Sequence, residues 1–388
     1  MKNKLLIFAW VFVGILGAGM AQEKNVRKAK NLLNRPDPVA AAALIDEAVQ
    51  NPETSASFDA WWTRGKVYIA IAQNPLFARS FTNPADVAKE SLEKAMQLDP
   101  GKALMMRQDL LNLAGLFYDQ GANAFGEKAY SEALVDFEKS AQISQMEGIY
   151  DTNAVFNAAL CAFNAEGELE TSIKYFKEVV DAGWNNATAC IYLAEAYLMN
   201  EQNAEAQATM DAGLQKFPED KNVYLSASSI YIRTGENEKA STILNAALIK
   251  WASDPTFQRY LGVSYQNEGK EAEAESAFKK AIELNPDYMD AYIDLGNLYV
   301  QKGNRLSTEA NELPYEETEK YEALTAQAKE AFGMAVPYLE KILVQDPNNL
   351  SVLQIMREIY VRVGDMAKAN ELKAKIDELT GEGTGAAE

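Results

Sequence analysis

Two cysteines, Cys161 and Cys190, carry the only thiols of this sequence, and no histidine occurs in its 388 residues. Without imidazole there is no Ser–His or Cys–His nucleophile pair and no histidine ligand for a metal. The cysteines are too far apart for a CxxC redox pair, and two thiols do not make a four-cysteine zinc site. Carboxylates are abundant, and Glu316-Glu317-Thr318-Glu319 is a dense run. Such a run reads as a solvated helix face, not as a matched acid and base. The phosphate-cradling GxxxxGK[ST] loop, a GxGxxG turn in strand context, the GxSxG elbow and an EF-hand loop are all missing. The triplet Asn186-Ala187-Thr188 fits a glycosylation acceptor but carries little weight. The expectation is a chain that is not an enzyme and binds no cofactor and no metal.

Composition limits the partners. Hydrophobic residues make up 48% of the chain, enough for a sizeable core, and the length alone suggests two or three domains. A formal charge of −19 repels nucleic acid and anionic membrane surfaces. Residues 1–21 read as a targeting segment, with Lys2 and Lys4, an uncharged run of about fifteen residues and small residues at Gly19 and Ala21. A run that short falls below the roughly twenty residues that span a bilayer. Cleavage after Ala21 is therefore expected, an uncleaved anchor being the alternative, and no later segment reads as a membrane span. Cleavage removes Lys2 and Lys4, which takes the charge to −21.

The elements that position these residues show up as self-similarity. Tyr197, Tyr231, Tyr265 and Tyr299 each follow the last by 34 residues, and Phe163 stands one period earlier. At fixed offsets behind the aromatics come Gly167, Gly235, Gly269 and Gly303, then Ala206, Ala240 and Ala274, then Phe176, Met210, Leu244 and Phe278. Pro218 and Pro286 close the pattern. Two short helices, A and B, that cross closely need small residues such as Gly262, Gly296, Ala274 and Ala281 at the crossing, and large ones such as Tyr265 and Phe278 to fill the rest. A glycine after helix A accepts the left-handed backbone of the turn, and a proline after helix B ends it.

A 34-residue period carrying this pattern resembles the tetratricopeptide repeat (TPR) family. The resemblance implies an all-α chain, a right-handed superhelical solenoid of about nine helix-turn-helix repeats, and so a single array. Helix A starts fall at 153, 187, 221, 255 and 289, with a further one near 350. The segments are 1–21, signal; 22–57, a degenerate capping pair; 58–113, a repeat with an insert between its helices; 114–303, the main array; 304–330, an acidic insertion; 331–379, the closing helices; and 380–388, a tail. The insertion holds seven glutamates against three basic residues. Its composition after Pro314 favours helix, which would lengthen helix B into an arm kinked at Pro337. A docking arm and a tolerated expansion both fit.

In the resembled family the A helices line a concave groove that receives peptides or partner domains. Mapped residue by residue, that face holds Asn157, Asn164, Ile191, Glu195, Leu198, Leu225, Ser229, Ile232 and Arg233. It continues through Arg259, Val263, Gln266, Asn267, Ile293, Asn297 and Gln301. Amides suit extended backbone, aliphatics suit apolar side chains, and Arg233 and Arg259 suit a partner carboxylate. The lysine and asparagine set with which some relatives clamp a C-terminal carboxylate is missing here, where Asn157 and Cys161 stand instead. The recurring tyrosines, with Tyr360, and Trp61 read as packing residues. Trp62 falls on the outward side of its helix and, with Tyr315 and Tyr321, forms a candidate docking surface, sealing of the array's end being the other reading for Trp62. Cys161 and Cys190 are expected as separate buried thiols and not as a bridge. The functional expectation is a protein-binding scaffold or adaptor in the periplasm of a Gram-negative bacterium, serving envelope assembly or secretion. The alternative is a chaperone-like holder of unfolded clients.

Overall fold

The computed structural model describes residues 23–33, 37–184 and 186–381. The expected signal segment at 1–21 lies outside the described residues, as do residues 382–388 of the tail. Among the described residues every regular element is helical, and the chain divides between Asn200 and Glu201 into two compact units.

The first unit contains α1 (23–33), α2 (Pro38–Gln50), α3 (Phe58–Ala72), the short α4 (Pro75–Ala78), α5 (Pro84–Leu98), α6 (Ala103–Gly126), α7 (Tyr130–Met146), α8 (Thr152–Asn164), α9 (Leu169–Asp181) and α10 (Ala187–Met199). The second contains α11 (Asn203–Lys216), α12 (Lys221–Arg233), α13 (Asn237–Lys250), α14 (Pro255–Asn267), α15 (Glu271–Leu284), α16 (Met289–Asn311), α17 (Thr318–Gln345), α18 (Leu350–Val363) and α19 (Met366–Thr380).

The regular start of the A helices has a chemical cause. Asp151, Asn186, Asp220, Asp254 and Asn349 each stand just before one, and their side chains accept hydrogen bonds from the helix's first free N–H groups. Asp151 Oδ1, for example, takes Ala154 N–H at 3.0 Å. At the A–B turns Gly167, Gly235, Gly269 and Gly364 have φ between 76° and 88°, a conformation that costs glycine nothing. Lys128 and Glu201 hold the same turn position with φ 63° and 59°.

Within each pair the helices meet where the side chains are smallest. A Cβ added to Gly262 would fall 2.5 Å from the Phe278 ring, and one on Gly296 would fall 2.8 Å from Leu339. Ala206, Ala240 and Ala274 are fully buried, as are Met210, Leu244 and Phe278. Tyr231, Tyr299 and Tyr360 are buried too, whereas Tyr197 and Tyr265 are half-buried.

Three elements differ from the sequence expectation. Helix α6 starts at Ala103, well before the expected 114, so it runs for 24 residues. Gly303 does not end helix A: α16 continues through it to Asn311, and its 23 residues exceed the 13 of α14. The acidic insertion therefore lengthens both helices of the pair, because the turn joining them has moved to residues 312–317. Helix α17 spans 28 residues and runs unbroken through Pro337.

Candidate protein-binding face

In the second unit the mapped A-face residues lie on α12, α14 and α16. Their aliphatic members Leu225, Ile232, Val263 and Ile293 are half-buried, as are Ser229 and Asn297, while Arg233, Asn267 and Gln301 are exposed. Leu225 packs against the cluster around Leu244 and Phe257. Val263 and Ile293 pack against the one around Leu295 and Tyr299. The apolar floor of the face is thus the outer edge of the core.

Two side-chain pairs join α14 to α16. Gln266 Nε2 donates to Gln301 Oε1 at 2.7 Å. Arg259 Nε donates to Asp294 Oδ2 at 2.6 Å, and its Nη1 lies 3.5 Å from Asp290 Oδ2. Both hydrogen bonds connect residues 35 apart, one repeat plus one residue. Asn267 instead reaches Asn237 of α13 at 3.1 Å. Arg259 was expected to meet a partner's carboxylate, and the structure corrects this: its guanidinium is taken by two carboxylates of the next A helix. Burial would lower its pKa, yet the bond to Asp294 and that group's charge raise it overall. Burial pushes the Asp294 carboxyl up, and Arg259 draws it back only in part.

In the first unit Asn157 and Asn164 lie on α8, and Ile191, Glu195 and Leu198 on α10. Asn157 Nδ2 donates to the Tyr118 hydroxyl of α6 at 2.8 Å, and Asn164 Nδ2 turns back to the Leu160 carbonyl of its own helix at 2.8 Å. Ile191, Glu195 and Leu198 are half-buried. Cys161 and Cys190 are both buried, on α8 and α10. Burial pushes the Cys161 thiol up to about 12.

Trp62 does not face outward. It is half-buried against the core of the first unit, and its Nε1–H donates to Asp109 Oδ2 of α6 at 2.7 Å. Lys66 Nζ sits 4.3 Å from the indole centroid. The early start of α6 explains the change, since its first turns cover the side of α3 that would otherwise be open. Tyr315 and Tyr321 remain on the surface, at 96% and 44% exposure. They border a concavity of about 440 Å³ at the α16–α17 turn, together with Leu313 and Pro314.

Tyr118, Asp290 and Asp294 are the polar residues of this face that sequence reasoning missed. An offset of 35 between Arg259 and Asp294 was the available signal. A further concavity of about 430 Å³, between α7, α8 and α9, is bordered by Glu138, Tyr150, Tyr175 and Glu178. Among the described residues no group of three or more histidine, cysteine or acidic side chains is placed to hold a metal ion, and no helix is long and apolar enough to cross a membrane.

Residues 163–227, 255–288 and 277–310 match tetratricopeptide repeat families. Among curated proteins the chain is 22% identical over 205 residues to Protein O-mannosyl-transferase TMTC1 of Homo sapiens, covering 52% of this chain and 22% of that protein. It is 24% identical over 278 residues to Antiviral innate immune response effector IFIT1 of Macaca fascicularis, covering 66% and 52%. With DnaJ homolog subfamily C member 3 of Gallus gallus it shares 23% over 220 residues, covering 56% and 37%. The chain thus spans between about a fifth and about half of these relatives' length. Among solved structures, the C-terminal part of a TPR repeat-containing protein from Cytophaga hutchinsonii matches at 15% identity and TM-score 0.45, covering 68% of this chain and 95% of that one. Yeast Tom70 matches at 16% and 0.44, covering 85% and 62%. MamA from Desulfovibrio magneticus RS-1 matches at 15% and 0.35, covering 47% and 94%.

Proposed function

The chain carries tetratricopeptide repeats, and we propose that it is a non-catalytic scaffold or adaptor that holds partner proteins or peptides on the A-helix faces of those repeats. One observation carries the reading: α12, α14 and α16 present half-buried aliphatic side chains (Leu225, Ile232, Val263 and Ile293) beside the exposed polar residues Arg233, Asn267 and Gln301, which stand in one 34-residue register. Such a face offers backbone hydrogen bonds and shallow apolar contacts to an extended segment or a partner helix. The further part of the proposal, that the protein works in the envelope of a Gram-negative bacterium, rests on the basic start and apolar run of residues 1–21.

A photo-crosslinker tests this at Val263 on the A face, with Ile249 on α13, 86% exposed, as the control. One partner captured in stoichiometric amount from an envelope fraction at Val263 and not at Ile249 is the expected result. Equal capture at both positions overturns the A-face reading. Suppression of client aggregation by the purified protein, without any fixed crosslinked partner, supports a chaperone-like holder instead.

A further inference from the structure

The α16–α17 pair extends past its neighbours as a closed hairpin. Helix α16 is 10 residues longer than α14, which at 1.5 Å per residue adds about 15 Å. The extension is closed along its seam: Gly303, Leu306 and Ala310 of α16 are buried, as are Ala328, Ala331 and Phe332 of α17. On one side Arg305 ties it down, reaching Glu271 Oε1 of α15 at 2.9 Å and Glu309 at 2.8 Å. The seam stops at Ala310. Beyond it the chain turns through Leu313, Pro314 and Tyr315 and leaves the apolar concavity open, with Tyr315 almost wholly in water. Nothing in the packing of the unit requires an aromatic ring there, and an exposed ring beside an apolar concavity offers a partner both a flat apolar face and a polar hydroxyl.

The charge around the concavity identifies its occupant. Residues 309–322 hold six glutamates and one lysine, and all six glutamates are exposed. Arg305 pairs with Glu309, and Lys320 pairs with Glu317. Among the described residues no lysine or arginine stands within ion-pair distance of Glu312, Glu316, Glu319 or Glu322. We propose that the tip of this hairpin docks a basic peptide segment of a partner protein, with one apolar side chain entering the concavity beside Tyr315 and flanking lysines or arginines meeting the unpaired glutamates. Long-range attraction from such a rim speeds encounter, while the ring and the concavity supply the contact. A second copy of this chain would bring six more glutamates to the same place, and an anionic surface would be repelled.

This site goes beyond the A-helix face, and its test separates the two. A fluorescein-labelled peptide Lys-Arg-Leu-Leu-Arg-Lys is titrated into the full chain, beside Gln-Gln-Leu-Leu-Gln-Gln and Lys-Arg-Ser-Ser-Arg-Lys. The first peptide is expected to bind at least tenfold more tightly than either control, and its affinity to fall with added salt. Tyr315→Ser is expected to weaken it about tenfold, and the double variant Glu316→Gln/Glu319→Gln about fivefold, with unfolding curves unchanged because these side chains are exposed. Glu283→Gln on α15 is expected to leave binding intact. Equal affinity for the serine peptide reduces the effect to the net charge of the chain and overturns the proposal, as does equal affinity for the glutamine peptide. Binding unaffected by Tyr315→Ser, or crosslinking of the peptide to Val263 in place of the tip, also overturns it. Loss of the tip site by the other outcomes leaves the capture of a partner at Val263 untouched, whereas crosslinking of the peptide to Val263 assigns its binding to the A-helix face.

Discussion

Gly303 of α16 faces Phe332 of α17 so closely that a Cβ on the glycine would stand 2.7 Å from the ring. A contact that short requires the buried Phe332 ring or the helix carrying it to shift. Gly303→Ala is therefore expected to destabilise the second unit by about 1–3 kcal/mol through overpacking. Gly333, one residue after the same phenylalanine, has nothing within 4 Å of its virtual Cβ. Gly333→Ala is expected to stabilise by about 0.5–1 kcal/mol through helix propensity and a less flexible unfolded chain. Urea unfolding of the two variants checks the opposite signs, and equal signs would mean that α16 and α17 are not closed at this level.

Arg259 and Asp294 make the second testable contact. Both side chains are mostly covered, at 24% and 18% exposure. Arg259→Ala leaves Asp294 covered without its cation, and a loss of about 2 kcal/mol is expected, less than for a fully buried pair. Arg259→Ala/Asp294→Ala is expected to recover part of that loss, because the stranded charge goes with its partner. A double-mutant cycle by thermal unfolding measures the coupling. No recovery would mean that Arg259 acts by packing its stem and not by pairing.

The positions of these residues show what the sequence can convey. The 34-residue spacing located the starts of α8, α10, α12, α14 and α16 because each start is a local event, set mostly by an aspartate or asparagine cap and by small residues at the crossing. Helix length was less legible. Residues 103–113 are rich in Leu and Met and continue α6 backward, but they have no counterpart in the neighbouring repeats. Gly303 stands in the turn register and yet lies inside a helix, because Phe332 gives it a packing role that Gly235 and Gly269 do not have. The mapped face was legible as positions on helices but not as contacts. Pairing across adjacent A helices joins residues 35 apart, so Asp294 could not be recognised as the partner of Arg259 from either repeat alone.

Asp254 links a helix cap to pH. Its Oδ1 accepts from Thr256 N–H at 2.8 Å, and its Oδ2 pairs with Lys221. Burial alone would raise its pKa above 3.8, but the bonds from Lys221 and Thr256 outweigh burial and lower it. A carboxyl lowered in the folded state adds stability above its unfolded value and loses it as pH falls through the folded one. Asp254→Asn keeps the cap acceptor and removes the charge. With Lys221 nearly half exposed, the variant is expected to cost about 1 kcal/mol or less near neutral pH. The difference from the wild type is expected to vanish as pH drops well below 3.8. A difference independent of pH would assign the effect to the cap alone.

Lys128 occupies the turn position that glycine fills at 167, 235 and 269, with φ 63°. A side chain in this region costs about 1–2 kcal/mol, and glycine returns about 0.5–1 kcal/mol of that to the unfolded chain as entropy. Lys128→Gly is expected to stabilise the first unit by about 0.5 kcal/mol. Gly167→Ala, at φ 80° with open space around it, is expected to lose about 1 kcal/mol for backbone reasons alone. Thermal melts of the pair check both signs.

Cys161 reports on the first unit from inside. It is fully buried among Ala133, Leu134, Phe137, Ala158 and Ala162, between α7 and α8. Burial pushes its thiol up to about 12, so near neutral pH the reactive thiolate is scarcer than for an exposed cysteine. In a Cys190→Ser variant the remaining thiol is expected to react with an aromatic disulfide only when the α7–α8 packing opens. The labelling rate should then rise with urea in step with unfolding and saturate once the unit is open. Rapid labelling in the native state, independent of urea, would show that α7 does not cover Cys161.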